Sequence, residues 1–321
     1  MGLKKALILL FISHCFFITA QRTDSIHKDG YIKSFPDEVA LKLAFIHNSN
    51  SFGYNDKDAS TKYEISPNKK ERLSIAAQFR SLEVGVGISS GFLPGNSHAD
   101  DANIINLALK GFYKNWIQDV SFYHQRGFTI NRGSGDEISP LMETNKIGGA
   151  TAYSFNKKFS YRATRSQREW QLKSAGSFIP KVYYYYTNFV LQSSGFNHNS
   201  SSVDIALAPS YFYNFVLNEH FMFSSGASAG FGLNYNDFGN DYVFTSLYEL
   251  SLQGVLSFNY DRFFGGIQSN VLFLKSNSTR YMQFRDTMNY LNIHIGYRFK
   301  APRTFTKTAD KINKKLNIDK K

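Results

Sequence analysis

Strict alternation over unusually long runs is the feature that most restricts what this chain can become. Across residues 221–235 the odd positions read Phe221, Phe223, Ser225, Ala227, Ala229, Phe231, Leu233 and Tyr235, and the even positions between them are Met222 and small or polar residues. Across residues 248–260 the even positions read Tyr248, Leu250, Leu252, Gly254, Leu256, Phe258 and Tyr260, against Glu249, Ser251, Gln253, Ser257 and Asn259. A period of two marks a strand with one apolar face. These runs are 15 and 13 residues long. Globular strands usually stop at about 5–6, whereas a tilted strand needs about 9–11 to cross a bilayer. Aromatic residues at both ends of the apolar face suit the two membrane interfaces.

The same alternation recurs at 39–45, 82–88, 105–113, 147–153, 203–215 and 291–299. Short turns are expected at Arg80-Ser81, Lys114-Asn115, Asn156-Lys157, Asn218-Glu219 and Asp261-Arg262. Longer polar loops are expected at 48–60, 91–102, 127–144, 191–202 and 235–243, so short and long connections alternate as they do in outer-membrane barrels. The expected fold is therefore all-β: a closed, antiparallel, up-and-down transmembrane β-barrel of about 12 strands. Residues 158–190 break the pattern. Either a plug-like insertion interrupts one strand, or an extra hairpin raises the count to about 14, both even numbers.

The chain ends read differently from the middle. Lys4 and Lys5, the apolar stretch 7–18 and Ile18-Thr19-Ala20 form a secretory leader, with cleavage expected after Ala20. The one cysteine, Cys15, lies inside that leader, so no disulfide can hold the exported chain together. A periplasmic segment 21–38, a barrel 39–299 and a basic periplasmic tail 300–321 follow. The formal charge is +12. The leader takes +2 of it and the tail +6, which leaves +4 on the body. Nucleic-acid binding fits this distribution poorly, because the excess sits on a tail and not on a folded face. The tail sequence TADKINKKLNI places Ala309, Ile312 and Leu316 on one helical face and lysines elsewhere, a pattern that could hold anionic cell-wall polymer or lipid.

The segments KYEISPN at 62–68, WIQDVSFYHQRGF at 116–128, WQLKSAGSF at 170–178 and YRFKAPRTF at 297–305 resemble domain of unknown function 4421, a family of exported proteins of gram-negative bacteria. The resemblance covers nearly the whole exported chain. It implies an outer-membrane-like barrel and supplies no activity. The final run, Leu291 to Phe299, is similar to the closing strand that the barrel assembly machinery reads, here followed by 22 further residues.

Chemistry has few footholds. The alternation puts Lys42, Glu83, Lys110, Asp119, Glu249, His294 and Arg298 on inward faces. They could form a selectivity constriction, but mixed signs favour a paired network that fixes the shape of a narrow lumen. Small inward residues (Gly85, Gly87, Gly226, Gly230, Gly232) could also admit an inward-folded segment such as 164–176. His198 and Ser200, with Asn214 as a partner, would suit an outer-membrane lipid hydrolase if they shared a strand face. The surrounding SGFNHNSSSVD reads instead as a loop. Asp100 with Asp101, and Asp237 with Asp241, lack the fixed spacing of a calcium loop. The run Tyr183–Tyr186 reads as an interfacial girdle. No cofactor and no metal are expected. The sequence points to a non-enzymatic outer-membrane barrel, either a narrow pore or a structural, surface-presenting element, contacting outer-membrane lipid and the assembly machinery.

Overall fold

The computed structural model of the chain describes residues 25–315 apart from 27, 57–60, 69, 94–95, 97–101, 133–135, 139–140, 166–167, 194–195, 238, 240–241 and 278–281. The leader 1–20 lies outside the described residues, as do Asp100, Asp101, Asp241, Leu316 and Ile318.

Among the described residues twelve antiparallel strands close into a barrel. They are β1 (Glu38–Asp56), β2 (Thr61–Pro67 continued by Glu71–Phe79), β3 (Leu82–Ile88), β4 (Asn103–Tyr113), β5 (Trp116–Arg126 continued by Phe128–Arg132) and β6 (Asp136–Ile138 continued by Leu141–Tyr153). The second half comprises β7 (Ala175–Phe178 continued by Lys181–Ser193), β8 (Phe196–Ala208 continued by Ser210–Val216), β9 (Phe221–Asp237), β10 (Tyr242–Tyr260), β11 (Phe263–Asn277) and β12 (Met282–Lys300). β12 pairs with β1 from Lys300↔Glu38 to Met282↔Asp56, and this pairing leaves no free edge. A helix, α1 (Arg303–Lys315), follows β12.

The alternation becomes the two faces of the wall. On β9, Met222, Ser224, Ser228 and Asn234 are buried inside, while Phe221, Phe223, Phe231 and Leu233 are exposed outside. Its outward residues sit opposite those of β10 (Phe223↔Leu256, Ala227↔Leu252, Phe231↔Tyr248), so the apolar band is continuous across the pair. Among the described residues no second sheet covers it. Exposed apolar side chains on this scale are unfavourable in water and favourable in lipid. At the end where β1 begins and β12 ends, Tyr113, Trp116, Phe178, Phe215, Phe221, Tyr260 and Phe263 form an exposed aromatic rim.

Tight turns join strands at that same end. Arg80, Lys114 and Asp261 each open a two-residue turn with φ of 50°, 52° and 50°, the handedness that two-residue hairpins require. β7 and β8 break at Pro180 and Pro209, which have no N–H to give to the ladder. Their register is nevertheless the same on both sides of the break, Phe178↔Tyr211 and Lys181↔Ala208.

Three expectations need correction. Much of the expected loops 48–60, 127–144 and 191–202 is strand: β1 runs to Asp56, β5 to Arg132, and β8 starts at Phe196. Backbone pairing continues above the apolar band, where nothing demands alternation. Asn156-Lys157 is not a hairpin turn, because the chain leaves the wall after Tyr153 and rejoins it at Ala175. In the tyrosine run, Tyr186 is exposed outside and Tyr184 shares its face, whereas Tyr183 and Tyr185 point inward.

The wall is also narrower at its loop end. β3 stops at Ile88, and the upper part of β2 pairs directly with the upper part of β5, from Pro67↔Phe128 to Tyr63↔Arg132. Among the described residues ten strands thus continue where twelve began. Gly127, at φ 87°, makes this junction possible, since a Cβ there would lie 2.6 Å from that of Ala102.

Candidate functional site: a plugged lumen

Between β6 and β7 the sequence SFNKKFSYRATRSQREWQLKS loses its alternation and cannot continue the wall. Hydrogen bonds fix where it departs: Asn115 Nδ2 donates to Ser154 O at 2.7 Å, and Asn156 Nδ2 donates to Gly176 O at 2.7 Å. The excursion therefore leaves and returns at one place on the rim. Within it, Glu169–Gln171 pairs with Ile32–Ser34, which pairs with Ser25–Ile26, in a small sheet separate from the wall. The N-terminal segment and the insertion form one plug.

Two apolar clusters seat the plug in the mouth. Phe159 packs with Phe112, Ile117, Ile179 and Phe212 from the wall. Trp170, 1% exposed, packs with Phe35, Ala163 and Met222. Its Nε1 donates to Glu219 O at 3.0 Å, in the turn between β8 and β9. Burying aromatic side chains of this size contributes on the order of 1.5–3 kcal/mol each.

Polar groups add direction. Gln171 Nε2 donates to Lys158 O, Lys173 O and Tyr31 O at 2.6, 2.9 and 3.2 Å. Its Oε1 accepts from Ser160 N at 2.8 Å and from Asn214 Nδ2 at 3.1 Å. One fully buried amide thus joins three parts of the plug to β8. Arg298, 0% exposed, donates to Asn259 Oδ1 at 2.6 Å and lies between the rings of Phe35 (4.2 Å) and Phe264 (4.6 Å). Gly296 makes room for the Phe264 ring, which a Cβ there would meet at 2.1 Å. Burial first, and the Arg162 guanidinium second, pull Arg168 down to about 9.

Above the plug, the residues predicted to face inward separate into a ladder and single sites. Lys42 and Glu83 approach to 3.7 Å, reaching across the small side chain of Ala76. Lys110 stands opposite Glu83 on one side and Asp119 on the other, and it forms an ion pair with Asp119. The charges alternate in sign round the wall from β1 to β5, which neutralises them locally and does not build a one-sign ring. Glu249 is apart from this ladder and accepts from Ser228 Oγ at 3.0 Å. His294 is buried on β12. Tyr123, Lys146 and Tyr185 are half-buried, with Lys146 Nζ 4.6 Å above the Tyr185 ring, so part of the inner surface stays accessible from the loop end.

The ladder is testable. Glu83→Gln removes the carboxylate facing a buried lysine and should destabilise the barrel by about 3–5 kcal/mol, whereas Glu83→Leu with Lys42→Met should cost little or even stabilise. Thermal mobility-shift gels on the refolded protein read this directly. Equal loss in the single and the double variant would show that the charges do not act as a pair.

The structure does not bring His198, Ser200 and Asn214 together. His198 and Ser200 lie on β8, in strand and not in a loop, opposite Leu191 and Phe189. The side chain of His198 lies outside the described residues. On β9, Ser201 is level with Asp237 and Asn214 with Ser224. Those thirteen residues correspond to roughly 40 Å along the strand. Asn214 is also engaged in the plug network and accepts from Ser224 Oγ at 2.7 Å. Sequence reasoning did not find Phe35, Trp170 and Gln171 as anchors; the available signal was a tryptophan beside a glutamine in a run without alternation. Among the described residues no group of three or more His, Cys, Asp or Glu side chains could hold a metal ion.

The family described as a domain of unknown function (DUF4421) matches residues 22–299. No curated protein matches the chain. Among solved structures, the β domain of the Bordetella autotransporter BrkA aligns with a TM-score of 0.41 and 9% identity, over 82% of this chain and 99% of that one. The COG4313 outer membrane channel from Pseudomonas putida F1 aligns at 0.38 and 12%, over 86% and 100%. The outer membrane protease OmpT from Escherichia coli aligns at 0.33 and 7%, over 83% and 98%. Likeness at this level transfers no activity.

Proposed function

Because the chain belongs to the DUF4421 family, whose description assigns no activity, we propose its function from geometry: an outer-membrane barrel whose periplasmic mouth is closed by its own chain. On this reading the protein is exported, cleaved after Ala20, and inserted by the assembly machinery through β12. It then serves as a structural or surface-presenting element and not as an open diffusion pore. The seating of Trp170 and Phe159 among wall residues is the observation that carries it. The uncovered apolar band and the aromatic rim support the membrane placement.

A narrow pore is the second reading, favoured by the half-buried polar surface above the plug. Conductance separates the two. Refolded wild type and Glu249→Lys should both give no steady open level in planar bilayers. A stable level whose ion preference reverses with Glu249→Lys would establish the pore instead.

A further inference from the structure

The basic tail forms the helix α1, docked on the outside of the rim. Phe79 ends β2 on the outward parity, in line with the exposed Ile75 and Ala77, and the Phe305 ring lies 6.2 Å from it. The helix is therefore level with the lower edge of the apolar band. Its course follows from two tethers. Ala301 N donates to Asp37 O at 2.8 Å beside the start of β1, and Asp310 pairs with Arg80 at 2.8 Å at the foot of β2. From β12 across β1 to β2 is two strand spacings, about 10 Å. The seven residues from Arg303 to Asp310 rise by about the same, 10 Å. Tied beside the start of β1 and again at the foot of β2, the helix stays at the rim and crosses the feet of neighbouring strands.

Its faces then sort themselves. At 100° per residue, Phe305 and Ala309 share one stripe, and the sequence puts Ile312 on it as well. Thr306, Ala309 and Asp310 are half-buried and mark the flank against the barrel. Phe305 remains 54% exposed although it sits beside the lipid-facing wall. Arg303, Lys307, Lys311 and Lys314 are exposed on the opposite arc. An apolar stripe turned to the bilayer with a basic polar face is the pattern of a helix that lies in the interface.

We propose that α1 is an interfacial helix that holds anionic phospholipid headgroups of the periplasmic leaflet against the barrel rim. The inference rests on the outer-membrane reading above and deepens it by naming a lipid class. Each lysine near such a surface is expected to contribute up to about fivefold in affinity.

The test uses the refolded barrel from residue 21 onward in nanodiscs, a chain without cysteine because Cys15 lies in the leader. A fluorophore is placed on α1 through Thr308→Cys or on the outer wall of β11 through Ser269→Cys. Quenching is compared between nitroxide-labelled phosphatidylglycerol and nitroxide-labelled phosphatidylcholine. The Ser269 label should be quenched equally by both lipids. The Thr308 label should be quenched several-fold more by phosphatidylglycerol. Changing Lys307, Lys311 and Lys314 to Gln together should abolish that preference, and 0.5 M salt should weaken it. An unquenched Ser269 label would overturn the membrane placement itself. Normal quenching at Ser269 with no lipid preference at Thr308 would overturn the helix proposal alone. So would pelleting with purified cell wall that is lost in the triple lysine variant while lipid preference is absent, since the basic face would then serve the polymer.

Discussion

Replacing residues 157–173 with a short Gly-Ser linker is expected to turn a silent barrel into a conducting one. The replaced segment carries Phe159, Ala163, Trp170 and Gln171, all buried in the mouth. Without it, Phe35 loses Ala163 and Trp170, and Ile32–Ser34 loses one of its two neighbouring strands. The wall should survive, because its ladders run from β1 to β12 without using the insertion, and β7 keeps its pairing with β8 from Ala175 onward. Bilayer recordings should show steady steps at least about tenfold above any wild-type leak, with ion preference now set by the exposed inner charges. Heat-modifiable gel mobility verifies that the variant is folded. A folded variant that stays silent would place the seal in the wall side chains, and the closed-by-plug reading would lose its support.

Most of the wall was legible because lipid imposes alternation. β9 and β10 could be read to the correct face residue by residue, and so could the inward charges Lys42, Glu83, Glu249 and Arg298, since a one-residue slip would expose them outside. Above the band that constraint ends, and polar strands such as the upper parts of β1 and β8 look like loops in sequence although their backbones pair fully. The plug was harder for a different reason. Its position depends on contacts between residues far apart in sequence, such as Gln171 with Asn214 and Arg298 with Phe35, which no local period encodes. A break in alternation shows that a segment leaves the wall. It does not show whether that segment goes inward.

Trp170→Ala is expected to release the plug while leaving the barrel standing. The indole is 1% exposed and fills the space among Phe35, Ala163 and Met222. Truncating a buried tryptophan typically costs about 3–5 kcal/mol. Here that cost falls on the docking of the plug, because the ladders of the wall do not involve Trp170, which meets the wall at Met222 and the Glu219 carbonyl. The undocked population should therefore rise by at least about a hundredfold. Lys157, Lys158, Arg162, Arg165, Arg168 and Lys173 give trypsin six cleavage sites within the insertion. When reclosing is faster than cleavage, the cleavage rate follows that population. Trp170→Phe separates packing from hydrogen bonding: it keeps most of the ring and loses only the bond to Glu219, a loss of about 1 kcal/mol or a few-fold in rate. The barrel's thermal mobility shift should move little in either variant. Wild-type trypsin resistance in Trp170→Ala would mean that the polar ties through Gln171 and Asn214 hold the plug without the indole, and the apolar seat would be secondary.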